Sequence, residues 1–107
     1  RPPDFSPEKF FANALGVLGG EGDYRVLIRF SANVADRVRE REWHESQVLR
    51  ALSDGGLELK LQLGALPEIE RWILTWGTDA EAIAPKELRH RLRATVQRLA
   101  EVYGSAE

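Results

Sequence analysis

The clearest hydrophobic pattern in the chain runs from Leu57 to Leu63, where four leucines alternate with polar residues. A period of two predicts a β-strand with one buried and one exposed face. The segment Tyr24 to Ser31 alternates in the same way. Its apolar side is formed by Val26, Ile28 and Phe30, and its polar side carries Arg25 and Arg29. Both segments are predicted to be strands, each with its apolar face covered by other elements.

Two further strands are predicted at residues 47–53 and 80–84, where the alternation is weaker. Asp54-Gly55-Gly56 separates the first of them from the leucine strand and is typical of a hairpin turn. The strand at 47–53 and the leucine strand are therefore expected to pair as a hairpin.

Three helices are predicted among and after these strands. The first covers Asn33 to Glu42, with Val34, Ala35 and Val38 on its apolar side and Asp36, Arg37 and Arg41 facing outward. The second covers Glu68 to Trp76, opened by Pro67 and closed by Gly77, with one buried stripe formed by Ile69, Trp72, Ile73 and Trp76. The third starts at Pro85 and reaches about Tyr103, with four residues at core spacing, Leu88, Leu92, Val96 and Leu99.

The order of elements predicts the fold class. A β-α-β-β-α-β succession describes an α+β, ferredoxin-like domain with a four-stranded antiparallel sheet and both inner helices on one face. The right-handed crossover rule supports this topology, and the alternating strands fit a sheet with one covered face. The helix after the last strand is additional to that pattern.

The first 22 residues are predicted to form a lead-in rather than part of the domain. Ser6 and Pro7 open a short helix that ends near Gly16, and Gly19-Gly20-Glu21-Gly22 follows as a flexible joint. The predicted division is residues 1–22 as lead-in and linker and residues 23–107 as the ferredoxin-like domain. The chain begins with Arg1 and contains no methionine, which favours an excised piece of a longer protein.

Composition narrows the functional classes. The 107 residues are enough for one domain, and the absence of cysteine excludes disulfides and thiolate chemistry and fits a cytoplasmic location. No apolar run approaches the roughly 20 residues of a membrane span. The net charge of −2 argues against bulk electrostatic binding of nucleic acid, but twelve of fifteen cations are arginine. They cluster at 37–41 and 89–98, where they either bind an anionic partner or simply solvate helix faces.

No set of residues predicts catalysis, a metal site or a cofactor. His44 and His90 lack further ligands at metal-binding spacing. His44 and Ser46 are expected to be a solvent-facing pair rather than a base and nucleophile. Glu68 and Glu70 are expected on a solvated helix face, and the chain is predicted not to be an enzyme.

Two segments combine aromatic, cationic and small polar residues, Arg41-Glu42-Trp43-His44-Glu45-Ser46-Gln47 and Trp72-Ile73-Leu74-Thr75-Trp76-Gly77. Trp43 is most simply a core or lid residue, and its functional alternative is a stacking platform. Trp72 and Trp76 are expected in the core. The first segment is therefore the candidate binding site, and the second is mainly structural.

These two segments, together with Asp54-Gly55-Gly56-Leu57-Glu58-Leu59 and the helix start at Pro85-Lys86-Glu87-Leu88-Arg89, resemble the C-terminal extension, or WCX domain, of bacterial WYL-domain transcriptional regulators. The opening Arg1-Pro2-Pro3-Asp4-Phe5-Ser6-Pro7 resembles the passage that leads out of the WYL domain. The resemblance covers nearly the whole chain and rests on the order and spacing of the segments.

The resemblance implies a module that helps its regulator to form a homodimer and to sense an effector, which is single-stranded nucleic acid or nucleotide-like. On that basis the predicted contacts to the effector or to the WYL domain of the same or a partner subunit are Arg37, Arg41, Trp43, His44 and Gln47. The alternative is a purely structural dimerisation module, with the apolar sheet or the terminal helix as its contact. Membrane association is not expected.

Overall fold

The sheet is built around strand β1, Tyr24–Phe30, which pairs along its whole length with β3, Leu57–Leu63. The computed structural model describes residues 23–104. Strand β4, Ala80–Ala84, pairs with the other edge of β1, and β2, Val48–Ala51, pairs with β3. All pairs are antiparallel, and the order across the sheet is β2-β3-β1-β4. The predicted α+β, ferredoxin-like fold with a four-stranded antiparallel sheet is confirmed.

Three α-helices complete the described part of the chain. They are α1, Ala35–Arg39, α2, Pro67–Thr75, and α3, Lys86–Gly104. A short 3-10 turn, Gly77–Asp79, joins α2 to β4, and a cis peptide bond between Ala84 and Pro85 leads into α3. The predicted helix near residues 7–15 lies outside the described residues, as does the boundary predicted at residue 22.

The core fills the space between one face of the sheet and the helices. Alternate residues of β1 and β3 are buried, as the sequence pattern predicts, and the inward residues of α1 and α2 pack on them. Their side chains are Val26, Ile28, Phe30, Leu57, Leu59, Leu61, Leu63, Ala35, Val38, Ile69 and Ile73, and Val34, just before α1, is buried with them. At about 25 cal/mol per Å² of apolar surface removed from water, this burial is the main force that stabilises the fold.

The first helix is shorter than predicted. The pattern predicts a helix from 33 to 42, but α1 covers only Ala35–Arg39. The N-cap position of α1 is occupied by Val34, whose apolar side chain cannot cap the helix, and the side-chain nitrogen of Asn33 donates to the Asp79 carboxylate at 3.4 Å. After α1, the indole Nε1–H of Trp43 donates to the carbonyl oxygen of Val38 at 2.9 Å. That oxygen would otherwise accept from the next helical turn, and the chain bends away instead.

The hairpin turn is longer than predicted because β2 stops at Ala51. Gly55 has φ +90°, and the Gly56 amide donates to the Asp54 carboxylate at 2.8 Å. A side chain on Gly56 would place its Cβ 2.5 Å from the carbonyl oxygen of Phe30. Both glycines are therefore required by geometry, one for its backbone angle and the other for close approach to β1.

The third helix differs most from its predicted environment. Leu88 is buried and Leu92 is half-buried, as expected from their spacing. Val96 and Leu99 were also predicted to be core residues, and this is wrong because both are exposed. The first half of α3 packs on β4 and α2, whereas the second half extends past them and meets no core.

One ion pair on the uncovered face of the sheet gives a test of stability against pH. Arg50 donates to Glu58 at 2.9 Å across the β2–β3 pair, and this hydrogen bond lowers the pKa of Glu58, while burial opposes the shift. A carboxylate with a lowered folded-state pKa stabilises the fold above the unfolded value of about 4.3 and loses this contribution as pH falls through the lower folded value.

Replacing Glu58 by Gln should therefore cost stability at pH 6, and the difference from wild type should shrink as pH falls towards 3. Chemical denaturation at a series of pH values measures the free energy of unfolding of both proteins. Glu42→Gln, an exposed carboxylate without a salt bridge in residues 23–104, is the matched control. A difference for Glu58→Gln that is independent of pH would contradict the role of the pair.

Candidate contact site

The two aromatic segments of the sequence meet in space. Trp43 lies with its ring centroid 4.9 Å from that of Trp72 and 6.3 Å from that of Trp76. Phe30 of β1 lies below them, 5.8 Å from Trp72 and 5.4 Å from Trp76, with near-perpendicular rings. These separations are typical of edge-to-face aromatic packing. We call these four side chains the aromatic cluster; Phe30 is buried and the three tryptophans are half-buried.

The prediction that Trp72 and Trp76 serve the core is confirmed, since both pack against it. Trp76 adds an unusual detail, because its buried Nε1 has no hydrogen-bond partner. Trp76 is nearly perpendicular to Phe30, Trp43 and Trp72. In such packing a ring edge faces a neighbouring π-face, which offers partial compensation to an indole N–H.

Gln47 holds the loop that carries Trp43. Its side-chain oxygen accepts from the backbone amides of Trp43 at 2.5 Å and His44 at 3.3 Å. Its side-chain nitrogen donates to the carbonyl oxygen of Arg41 at 3.4 Å, and its own amide donates to the His44 carbonyl at 3.0 Å. The amide of Gln47 thus satisfies backbone groups that no helix or strand serves.

His44 is buried, with 4% of its surface exposed, so the expected solvent-facing pair is wrong. Its Nδ1 accepts from the backbone amide of Ser46 at 3.0 Å and lies 2.7 Å from the Ser46 hydroxyl oxygen. Residues 44–47 form a turn rather than part of a strand, and this brings the two side chains together. The Ser46 hydroxyl oxygen also accepts from the amide of Gln62 in β3 at 2.9 Å. The pair therefore fastens the loop to the sheet.

Arg37 and Arg41 are the exposed cations of the predicted site. Within residues 23–104 neither forms a salt bridge, whereas Arg39 between them is paired with Asp36 at 2.5 Å. The guanidinium carbon of Arg41 lies 5.8 Å from the Trp43 ring centroid, a cation–π distance. Glu40 and Glu42 alternate with these arginines in the sequence, so the segment has little net field. An anion would be held here by direct arginine contacts.

The structure assigns different surroundings to the five predicted residues. Trp43 and Arg41 touch each other, and His44 and Gln47 stabilise the loop behind them. The assignment of all five as effector or domain contacts stays a prediction.

Glu70 was expected on a solvated helix face, and this is wrong because its carboxylate is largely covered. It accepts from Arg91 at 2.6 Å and from Thr95 at 3.0 Å, and these bonds connect α2 to α3.

A second cationic surface was missed by sequence reasoning. Arg25, Arg29 and Lys60 project from β1 and β3 on the face of the sheet away from the core, and none forms a salt bridge within the described ranges. A shallow depression of about 380 Å³ lies between Arg25, Lys60 and the exposed Val48. The alternation that predicts the strands also places these cations on one face of the sheet, and this pattern could have predicted the cationic surface.

The described part of the chain holds no group of three or more His, Cys, Asp or Glu side chains suited to a metal ion. None of its helices is long and apolar enough to cross a membrane.

Comparison with models of known protein families gives one informative match. Residues 22–100, most of the chain, match the model of the WCX domain. The earlier resemblance to this family is thereby confirmed. WCX domains accompany WYL domains in transcriptional regulators, where they are regulatory domains. A search of curated proteins finds no match for the chain.

The aromatic cluster gives a test of how the loop is held. Trp43→Ala should lower the free energy of unfolding by about 2–3 kcal/mol, because it removes ring packing and the bond to Val38. Trp43→Phe keeps a ring and loses that bond, so we expect about 1 kcal/mol. Urea denaturation measures both. Equal losses would show that ring packing contributes little.

Proposed function

We propose, from the premise that the chain belongs to the WCX domain family, that it is the C-terminal regulatory module of a WYL-domain transcriptional regulator. In this proposal it contributes to dimerisation and senses a nucleic-acid or nucleotide-like effector that controls DNA binding. The observation that carries the effector part is a pair of exposed arginines without salt bridges in residues 23–104, Arg37 and Arg41, of which Arg41 lies beside the half-buried Trp43.

The groups at this site suit a phosphorylated ligand that also carries a base. Arginine presents a planar set of donors that matches phosphate oxygens, and exposed indole surface accepts a stacked base. Arg41 lies over Trp43, so a phosphate on the first and a base on the second would be neighbours. Gln47 and His44 fix the backbone that carries both residues, which lowers the entropy lost on binding.

The same surface serves contact with a WYL domain of the same or a partner subunit. An effector that touches both domains changes their arrangement only by binding one arrangement more tightly than the other. In this scheme Arg37 and Arg41 make contacts in one arrangement of the domains that they do not make in the other. Both are suited to this because neither forms a salt bridge within residues 23–104. The regulator would act in the cytoplasm, where its DNA is.

Titration of the intact regulator with fluorescent single-stranded oligonucleotides tests the effector contacts. Arg37→Ala and Arg41→Ala should each weaken binding by about 5- to 30-fold, as expected when a charge-assisted hydrogen bond of roughly 1–2 kcal/mol is lost. Each substitution should also reduce the slope of log affinity against log salt by about 0.7, because each phosphate contact on a single strand releases roughly 0.7 of a counterion.

Arg39→Ala is the matched control, since Arg39 is an exposed arginine of the same helix that is already paired with Asp36. We expect it to leave affinity and salt slope unchanged. Unaltered binding in both the Arg37 and Arg41 variants would refute the assigned contacts, and an equal effect of Arg39→Ala would reduce them to a general charge effect.

The second candidate, a structural dimerisation module without ligand contact, is favoured by the exposed apolar residues on the second half of α3. Sedimentation together with the oligonucleotide titration separates the two candidates. A dimer that binds no oligonucleotide supports the structural module, whereas binding that depends on Arg37 and Arg41 supports the sensor.

A further inference from the structure

The second half of α3 exposes a continuous apolar stripe. Val96 is 52% exposed, Leu99 43%, Val102 66% and Tyr103 74%. With Leu88 and Leu92 they follow spacings of three and four residues, so they continue on one side of the helix the row that is buried in the first half. We call residues Val96, Leu99, Val102 and Tyr103 the α3 stripe. Its pattern is that of a buried helix face, and its exposure shows that this domain does not bury it.

An apolar groove lies next to the stripe. It has a volume of about 340 Å³, and its apolar lining comes mainly from α2, β4 and α3, with Ile73, Leu74, Leu92 and Val96 among its residues. Arg89 and Arg93 also line it. Val96 belongs both to the groove and to the α3 stripe, so a molecule that covers the stripe also reaches the groove.

The charge along α3 distinguishes two ways in which a second copy could cover the stripe. The first half carries Lys86, Arg89, Arg91 and Arg93 against one carboxylate of its own, Glu87. Arg89 and Arg91 pair with Glu81 of β4 and Glu70 of α2, whereas Lys86 and Arg93 form no salt bridge within residues 23–104. The second half carries one cation and one carboxylate, Arg98 and Glu101, and ends in the partial negative charge of a helix C-terminus. Parallel pairing would align Arg93 of the two copies, whereas antiparallel pairing about Leu99 sets Arg93 of each copy beside the C-terminal end of the other.

We propose that the α3 stripe pairs antiparallel with the same stripe of a second copy, about a two-fold axis close to Leu99. In such an isologous contact a residue four positions after the axis meets one about three or four positions before it. Tyr103 of each copy therefore lies against Val96 of the other, at the mouth of the apolar groove. Its phenol closes the groove, and its hydroxyl reaches water or Arg93. The proposal specifies the surface for the dimerisation clause of the proposed function and rests on it.

The proposed contact is small, so we expect the dimer to be weak. Four stripe residues on each side, even with the groove added, fall short of the roughly 20–30 residues a side of a standard interface. We therefore expect a dimer of the intact protein that dissociates measurably at micromolar concentration unless other domains add contacts.

Sedimentation velocity over a concentration series tests the surface. Leu99→Glu should raise the dimer dissociation constant at least about tenfold, because it places a carboxylate and its two-fold copy at the axis. Val48→Glu is the matched control, since Val48 is 57% exposed and lies on the sheet face away from the core. Far-UV circular dichroism checks that both variants fold. Unchanged association of a folded Leu99→Glu variant would overturn the proposal.

Engineered cysteines test the direction, because the chain has none of its own. Disulfides need Cα atoms within about 7 Å, so Leu99→Cys near the axis should cross-link to its own copy under mild oxidation. Val96→Cys alone should not, but a mixture of Val96→Cys and Tyr103→Cys should form the mixed dimer. Self-linking of Val96→Cys with no mixed dimer indicates parallel pairing and contradicts the proposal.

Two outcomes separate this surface from the wider function. A wild-type protein that is monomeric at every concentration rejects both the surface and the dimerisation clause. A wild-type dimer that survives Leu99→Glu rejects the surface alone. Because Leu99 lies on α3 and the proposed effector contacts on and after α1, oligonucleotide affinity of Leu99→Glu measured per protomer reports the sensor separately.

Discussion

The packing of Trp43 on Trp72 and Trp76 above Phe30 determines how the rest of the domain is arranged. The connection from β1 to β2 must cross the sheet, and its only helical element, α1, has five residues. A helix of that length is far below the roughly 12–15 residues that are marginally stable alone. Its conformation therefore depends on tertiary contacts. Trp43 supplies them by packing on α2 and by donating its indole N–H to the carbonyl oxygen of Val38.

The candidate site contains residues that hold the loop and residues that are exposed to a ligand. The indole of Trp43, the imidazole of His44 and the amide of Gln47 all have intramolecular partners, which fix the loop. The guanidinium groups of Arg37 and Arg41 lie outside those hydrogen bonds and are exposed, so their charges are available to a ligand or a neighbouring domain. A loop that is held by hydrogen bonds and presents exposed cations loses little entropy on binding beyond that of the cations themselves. These side chains are coupled to the fold through Trp43, so a ligand bound by Arg41 would be sensitive to the position of the loop.

The hydrophobic periodicity correctly predicted the strands, because their burial pattern depends on one face alone. It failed for the extent of α1 and the burial of His44, which depend on contacts with other segments. The alternation in Leu57 to Leu63 has one solution, because a slip of one residue would expose every leucine. The extent of α1 depended on an indole eight residues after Ala35 in the chain, which no local pattern reveals. His44 looked like a surface residue because its partner Ser46 is brought to it by a turn, and Ser46 is itself held by the backbone amide of Gln62 in a distant strand.

The same reasoning explains α3. Spacing showed that Leu88, Leu92, Val96 and Leu99 share one face, and that inference holds; it did not show that one domain covers all of it. Nineteen residues give a helix of about 28 Å, whereas the five-residue strand β4 beside it is about 17 Å long. A helix that outruns its support while keeping a burial pattern exposes Tyr103 and Val102 to water at a cost in free energy. The exposed apolar residues are covered when they pack against a surface with apolar residues at the same spacing. The α3 helix of a second copy is such a surface.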